Sequence, residues 1–394
     1  MRSLPETTHR PKRKASGSLS PSGHQTKKPR ETETARISRE PAVHVDTDEE
    51  SDSKEYDEIV PEDITIAIFC ALPYEAVAVR YTLDGEYTCR SKGRDYVYSF
   101  GKIAEHKVVI AQSQIGTIEA AYCASAVSQE FPNVRLALMV GIGAGIPSPT
   151  HDIRLGDLAI SIPKDGHSGV LQYDFGKYEE NYFQLKGCLN KPPRILISAD
   201  GALLQDQLMT KRPLRKILRK ITSANPGFMR PDTDDILYEQ DFQHVNTGSD
   251  CSGCEAASER KITIRPPRQD QQPVIHRGLI LSGNGVIKNS RDRNKFQRHF
   301  KDAICYEMEA AGIMDQIPCL VVRGICDYAD THKQDNWHYY AAAVAAAYCK
   351  ALLMKVHSQE VEEVPRMQEV MKGVKEVIDG VSQLRNAQRH GTCI

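Results

Sequence analysis

With 51 Lys and Arg against 52 Asp and Glu, the 394-residue chain has a formal charge of −1, which excludes a partner recognised through bulk charge alone. No apolar run approaches the ~18 residues of a membrane helix, and the N-terminus lacks the apolar core of a secretory signal. Eleven cysteines, mostly inside apolar runs at Cys70, Cys123, Cys305, Cys319, Cys326 and Cys349, read as core residues of an intracellular protein, cytoplasmic or nuclear.

Residues 1–63 form a tail whose charge changes sign. The first 45 hold ten Lys and Arg against four Asp and Glu, are rich in Pro and Ser, and lack the apolar periodicity needed to fold, so disorder is expected. Lys12, Arg13 and Lys14 stand twelve residues before Lys27, Lys28 and Arg30, a spacing similar to a bipartite nuclear import signal that would recruit an importin. From Asp46 to Asp63, ten acidic residues face one Lys, Lys54, and stay solvated.

A folded domain is expected over 64–356. ITIAIFC reads as a buried strand and ALPYEAVAVRYTL as a helix with Pro73 in its first turn, which leaves Glu75 just past a strand's carboxyl end. Such a glutamate either faces a ligand or complements the helix start. DYVYSF and KVVIAQS read as a hairpin, and SQIGTIEAAYCASAVSQEF passes through Gly116 into an amphipathic helix. In RLALMVGIGAGIPS a buried strand meets Gly141, Gly143 and Gly145, which allow close backbone approach without matching a dinucleotide fingerprint. GDLAISIP is another strand, followed by a surface loop through Tyr173, Asp174, Phe175 and Gly176.

Residues 186–275 read as a divergent insertion. It holds a basic helix with Lys211, Arg212, Arg215, Lys216, Arg219 and Lys220, and a polar loop with Cys251 and Cys254. Zinc needs four ligands, and His244 and His276 are the only nearby histidines, so surface cysteines and no metal are expected. HRGLILSGNGVIKNS then supplies a strand ending at Ser282. In ICYEMEAAGIMDQIPCLVVRGICDYAD, Glu307, Met308 and Glu309 lead into a helix, CLVVRGI is a short buried strand, and Asp327 stands beyond its carboxyl end, where open α/β sheets place ligands. An Ala-rich helix closes the domain. In 357–394, Met367, Val370, Val374, Val377, Val381 and Leu384 recur at spacings of three and four, giving a C-terminal amphipathic helix that forms a coiled coil or packs back.

EMEAAGI and RGICDYAD, in that order, resemble the paired signature of the nucleoside phosphorylase and nucleosidase superfamily, and ALPYEAV resembles the opening segment of the methylthioadenosine/S-adenosylhomocysteine nucleosidases. HKQDNWHYYAAAVAAAYCK is similar to segments of fungal immune-type proteins that carry such a domain. The resemblance implies a three-layer α/β fold, a mixed sheet flanked by helices, a homo-oligomer and no cofactor. It implies that Glu309 and Met308, with Glu307 beside them, hold the ribose, that Gly141 and Gly143 form a glycine turn under the nucleoside, and that Ser282, Val286 and Ile287 belong to the base-holding segment. Asp327 would protonate the purine at N7 and Glu75 would position water. Where the phosphorylases carry a phosphate-binding Arg, this chain has Met139. The expected reaction is cleavage of the N-glycosidic bond of a purine nucleoside or nucleotide by water, with adenine favoured because a carboxylate accepts from a 6-amino group. Phosphorolysis through Arg154 or Arg323, a nucleotide sensor without turnover, and a nuclear interaction protein are the alternatives.

Overall fold

The computed structural model describes residues 57–90, 95–164, 166–180, 183–245, 251–257, 261–332, 335–373, 376–377 and 379. The basic clusters of the tail and the heptad positions Val374, Val381 and Leu384 lie outside the described residues.

A two-residue strand β1 (Glu58–Ile59) precedes β2 (Ile66–Cys70), in which Ile66, Ile68 and Cys70 enter one core while Ala67 and Phe69 enter another. That alternation, apolar on both sides, is the mark of a strand covered by helices on both faces. Pro73, whose missing N–H costs nothing at a helix start, opens α1 (Pro73–Arg80). Next come β3 (Gly85–Cys89), β4 (Tyr98–Ile103) and β5 (His106–Gln112); β4 and β5 pair antiparallel, and β5 lies parallel to β2. After α2 (Thr117–Glu130) the chain forms β6 (Leu136–Gly145), β7 (Leu158–Ser161), β8 (Val170–Gln172) and a separate antiparallel pair, β9 (Gly176–Tyr178) with β10 (Phe183–Leu185).

The segment read as an insertion holds α3 (Arg194–Leu208), α4 (Pro213–Ala224) and α5 (Ser252–Ala256). Leu214, Ile217, Leu218 and Ile221 of α4 join the core, while Arg215, Lys216 and Arg219 stay exposed. Then follow β11 (Ile275–Ser282), α6 (Ser290–His299), β12 (Ala303–Glu307), α7 (Ala310–Gln316), β13 (Leu320–Asp327), α8 (His338–Leu353) and α9 (Ser358–Glu362).

The strands run in the order β1-β3-β4-β5-β2-β6-β12-β11-β7-β13, with β8 against β11, and β13 also pairs with β6. The set β6, β12, β11, β7 and β13 therefore closes on itself, and the remaining strands extend it as an open wing. Helices α1, α3, α4 and α8 cover one face, α2 and α7 the other. Helix α8 is buried on nearly all sides, as its apolar Ala-rich sequence requires. None of the helices among the described residues is long and apolar enough to cross a membrane.

Two local expectations are corrected. The glycines expected in a turn lie within β6, which continues through all three. A Cβ on Gly143 would lie 2.6 Å from Cys305 Sγ and 2.8 Å from the Tyr306 carbonyl, so its bareness lets β12 cross the end of β6 and close the ring. Tyr173, expected in a surface loop, is buried; its hydroxyl donates to the Gly285 carbonyl at 2.6 Å and its ring meets Tyr306 edge-on.

Candidate active site at the strand ends

The carboxyl ends of β2 and β13, both parallel to β6, lie at one end of the sheet, and β12, antiparallel to β6, crosses that end. At its centre is Arg323, an arginine in the middle of an otherwise apolar strand and 1% exposed. A buried guanidinium survives only with paired carboxylates. Its Nη2 donates to Glu307 and, at 3.0 Å, to Glu309 Oε2, while Nη1 donates to the Ile142 carbonyl at 3.2 Å. The neighbouring carboxylates raise the proton affinity of the guanidinium against the opposing effect of burial, so it stays charged.

Glu75, from the first turn of α1, faces the same guanidinium. Its Oε2 accepts from the N–H groups of Ala71 (2.8 Å) and Leu72 (2.9 Å), and its Oε1 from Ile142 N–H (2.8 Å). A carboxylate offers about four acceptor directions, and these three bonds leave one on Oε1. Burial pushes the Glu75 carboxyl up from its ordinary value, while Arg323 and the three N–H groups pull it down. Gly141 makes the arrangement possible: a Cβ there would sit 2.5 Å from both Glu75 Oε1 and Arg323 Nη1.

Glu307 ends β12 and Glu309 is the N-cap residue of α7. Glu307 Oε2 accepts from the N–H groups of Glu309 (3.1 Å) and Ala310 (2.9 Å), the favourable place for a carboxylate at a helix start. Glu309 also takes Gly116 N–H from the start of α2 at 3.4 Å. Burial pushes the Glu309 carboxyl up to about 7, with Arg323 opposing and Glu307 and Glu75 adding to it. One cation among three buried carboxylates leaves the cluster rich in negative charge when all are ionised, a setting that favours positive charge developing nearby.

Asp327, the last residue of β13, sits opposite Ala144 just after a register shift. It is 6% exposed; Oδ1 accepts from Ala329 N–H at 2.9 Å and Oδ2 from the Cys326 thiol at 3.4 Å. A ring nitrogen of His338, the first residue of α8, lies within 4.8 Å of both the Asp327 carboxylate and Cys326 Sγ. His338 Nδ1 is 3.4 Å from the Tyr74 hydroxyl, and the two rings stack at 6.0 Å. Sequence reasoning missed His338 and Tyr74. They are 264 positions apart, and only the docking of α8 on α1 brings them together.

The remaining predicted residues fall around this centre. Ser282 is fully buried and its Oγ accepts from Ala311 N–H at 2.9 Å, which ties β11 to the start of α7. Met308 is half-buried, Val286 is 53% exposed, and Ile287 packs on the cluster of Ile146, Tyr173 and Leu281. Asn284 caps α2 by accepting from Thr117 N–H at 3.0 Å. Met139 is fully buried among apolar side chains on the α2 and α7 side. Arg154 is bound to Asp152 (2.7 Å) and to the Pro266 carbonyl (2.5 Å).

Cys251 and Cys254, expected at the surface, are buried, and the nearby histidines separate: His276 bonds Asp157 at 3.0 Å, while His244 Nε2 is 3.5 Å from Cys251 Sγ.

The model of a family described as the phosphorylase superfamily matches residues 65–356. A nucleotide-binding leucine-rich repeat (NLR)-like protein of Hyaloscypha variabilis is 40% identical over 314 residues, 76% of this chain, which spans 30% of that relative's length. An ATP nucleosidase Cap17 of Escherichia coli is 33% identical over 175 residues, 40% of this chain and 35% of its own. A 5'-methylthioadenosine/S-adenosylhomocysteine nucleosidase of Mycobacterium bovis is 22% identical over 74% of this chain and 96% of its own length.

Proposed function

The chain belongs to the phosphorylase superfamily, and from that premise we propose that it hydrolyses the N-glycosidic bond of an adenine nucleoside or nucleotide. The observation that carries the reading is the capture of Arg323 by Glu307 and Glu309 with Glu75 alongside, at the same strand ends as Asp327. Relatives over long stretches of the chain are nucleosidases by name, which supports N-glycosidic cleavage.

In the proposed mechanism the purine leaves only if its developing negative charge is met, and Asp327 donates the proton to N7. Glu309 accepts from the ribose hydroxyls, with Met308 against the sugar, while the carboxylate cluster stabilises the cationic sugar. Water takes the remaining acceptor direction of Glu75 Oε1. A phosphate dianion would need cationic partners. Arg323 is engaged by two carboxylates, Arg154 by Asp152 and Pro266, and Met139 faces the core, which supports water as the nucleophile.

Incubation with adenosine, methylthioadenosine and ATP, with and without phosphate, tests the reading by chromatography of the products. Free adenine at the same rate in phosphate-free buffer is the expected result. Strict dependence on phosphate, with ribose 1-phosphate or its derivative as product, overturns it, and binding without turnover favours a sensor.

Two partners belong to the same proposal. A groove of about 410 Å³ between α2 and α7, beside the exposed Ile118 and Tyr122, suits a second copy of the chain. Light scattering on wild type and Tyr122→Lys checks it. The basic clusters from Lys12 to Arg30 suit an importin, and loss of nuclear accumulation on deleting residues 1–45 is the expected outcome.

A further inference from the structure

A second gathering of chemically competent side chains lies between β10 and β11. The ligand atoms of His244, Cys251 and Cys254 are all within 4.8 Å of one another. Tetrahedral zinc, with bonds of about 2.3 Å to sulfur and 2.0–2.1 Å to nitrogen, holds its donors about 3.3–3.8 Å apart. Cys251 Sγ and His244 Nε2 are 3.5 Å apart, within that range. We propose that His244, Cys251 and Cys254 bind a zinc ion, with the imidazole of His332 as the adjoining fourth donor.

Three observations on different residues carry this. First, both thiols are buried, Cys254 completely, in a small cluster whose apolar members are Ile236, Tyr238, Phe242 and Ile262. A core of that size supplies little stabilisation, and small cores of this kind are commonly fastened by a metal. Second, Cys254 Sγ accepts the Val245 N–H at 3.3 Å, an outer hydrogen bond that favours thiolate and orients a sulfur ligand. Third, His332 arrives from the loop after β13, is 8% exposed, and stacks on Tyr238 at 4.0 Å with its ring centre 5.3 Å from that of His244. Its Nε2 is buried without a hydrogen-bond partner among the described residues, while its carbonyl oxygen accepts from Cys251 Sγ at 3.5 Å. A buried imidazole nitrogen left unmatched is costly, and a metal is a partner that would satisfy it.

Two thiolates with imidazole select zinc over the hard cations. Binding exchanges one zinc ion for the two thiol protons, and each histidine binds as a neutral imidazole. His332 follows Asp327 by five positions, so the ion would fasten the inserted segment to the loop that leaves the strand bearing Asp327.

The full chain, purified on a resin without metal and dialysed against a mild chelator, should retain about one zinc per chain by mass spectrometry of the metal. Stepwise titration of the wild-type thiols with a mercurial, read by a zinc-sensitive dye, should release the ion as Cys251 and Cys254 react, which keeps the test independent of whether a variant folds. Cobalt(II) substitution should give sulfur-to-cobalt charge-transfer bands and the intense d–d bands of a tetrahedral site, with His332→Gln shifting the latter and Cys254→Ser about halving the former. Absence of zinc combined with failure to take it up, zinc release that does not follow the two thiols, or an intact mass showing a Cys251–Cys254 disulfide each overturns the proposal.

Discussion

Around Arg323 three carboxylates are each tied to main-chain N–H groups, and at Asp327 the environment is of another kind. Glu75 takes three main-chain N–H groups, Glu307 takes two and the guanidinium, and Glu309 shares the same cation. Four residues further along the same strand, Asp327 accepts from a main-chain N–H and a thiol and has a histidine ring nitrogen within 4.8 Å. The difference separates two tasks. A fixed charge cluster can stabilise a cation without reorganising, whereas a group that gives up and regains a proton has to reach the atom that takes it.

If that division is right, the largest effect comes from Asp327→Asn, with turnover falling by roughly 10²- to 10⁴-fold as expected for a lost general acid, and with urea stability little changed. Adenine release measured under single-turnover conditions checks it. Unchanged release would remove Asp327 from the chemistry. Arg323→Met is the complementary break. It leaves three carboxylates buried without their cation and should cost about 3–5 kcal/mol in urea unfolding, in addition to loss of activity. Adding Glu307→Gln should return part of that stability; equal instability of the single and double variants would mean that the pairing is not what the guanidinium supplies.

Much of this was legible in the sequence, for identifiable reasons. Glu75 and Asp327 each follow a short apolar run, which puts them past strand ends, and Glu307 and Glu309 precede the Ala-rich start of a helix. Arg323 stands as a cation inside the apolar run CLVVRGI, and the rule that a buried guanidinium needs paired carboxylates is the signal that could have tied it to the acids upstream. The course of β6 through its glycines was not legible, because a glycine run permits both a turn and a strand, and only the crossing of β12 decides between them. The approach of His338 to Asp327 and to Tyr74, and of His332 to Cys251, depends on docking between distant segments that no local pattern encodes.

The proton affinity of the cluster sharpens the comparison further. Glu309 has an ordinary value of 4.5 and is pushed up to about 7 in the fold, first by burial. Because the folded value is the higher one, the folded state gains protons relative to the unfolded chain between these limits. This contribution to stability is present below pH 4.5 and is lost as pH rises through about 7. Catalysis should respond in the opposite sense, since only the ionised carboxylate can accept from both ribose hydroxyls. kcat/KM should fall about tenfold per pH unit along the acid limb below 7. Glu309→Gln should lower kcat/KM and flatten that limb; a limb that persists unchanged would assign it elsewhere.

The smallest effect expected is at His338, and it decides which group carries the proton to the base. An imidazole beside a carboxylate is itself a candidate general acid, and a His338 ring nitrogen lies within 4.8 Å of Asp327. Yet His338 is also engaged away from the site, with Nδ1 at 3.4 Å from the Tyr74 hydroxyl and Nε2 at 3.4 Å from an Asp335 oxygen. The Tyr74 hydroxyl on α1 thus orients Nδ1, which fits a residue that packs the wall next to Asp327. His338→Gln should therefore lower turnover by less than about tenfold, below the ~10² that loss of a general acid costs. A loss as large as that of Asp327→Asn, with the double variant no worse than either single one, would make the two residues a single proton-transfer unit and overturn the assignment of the proton to Asp327 alone.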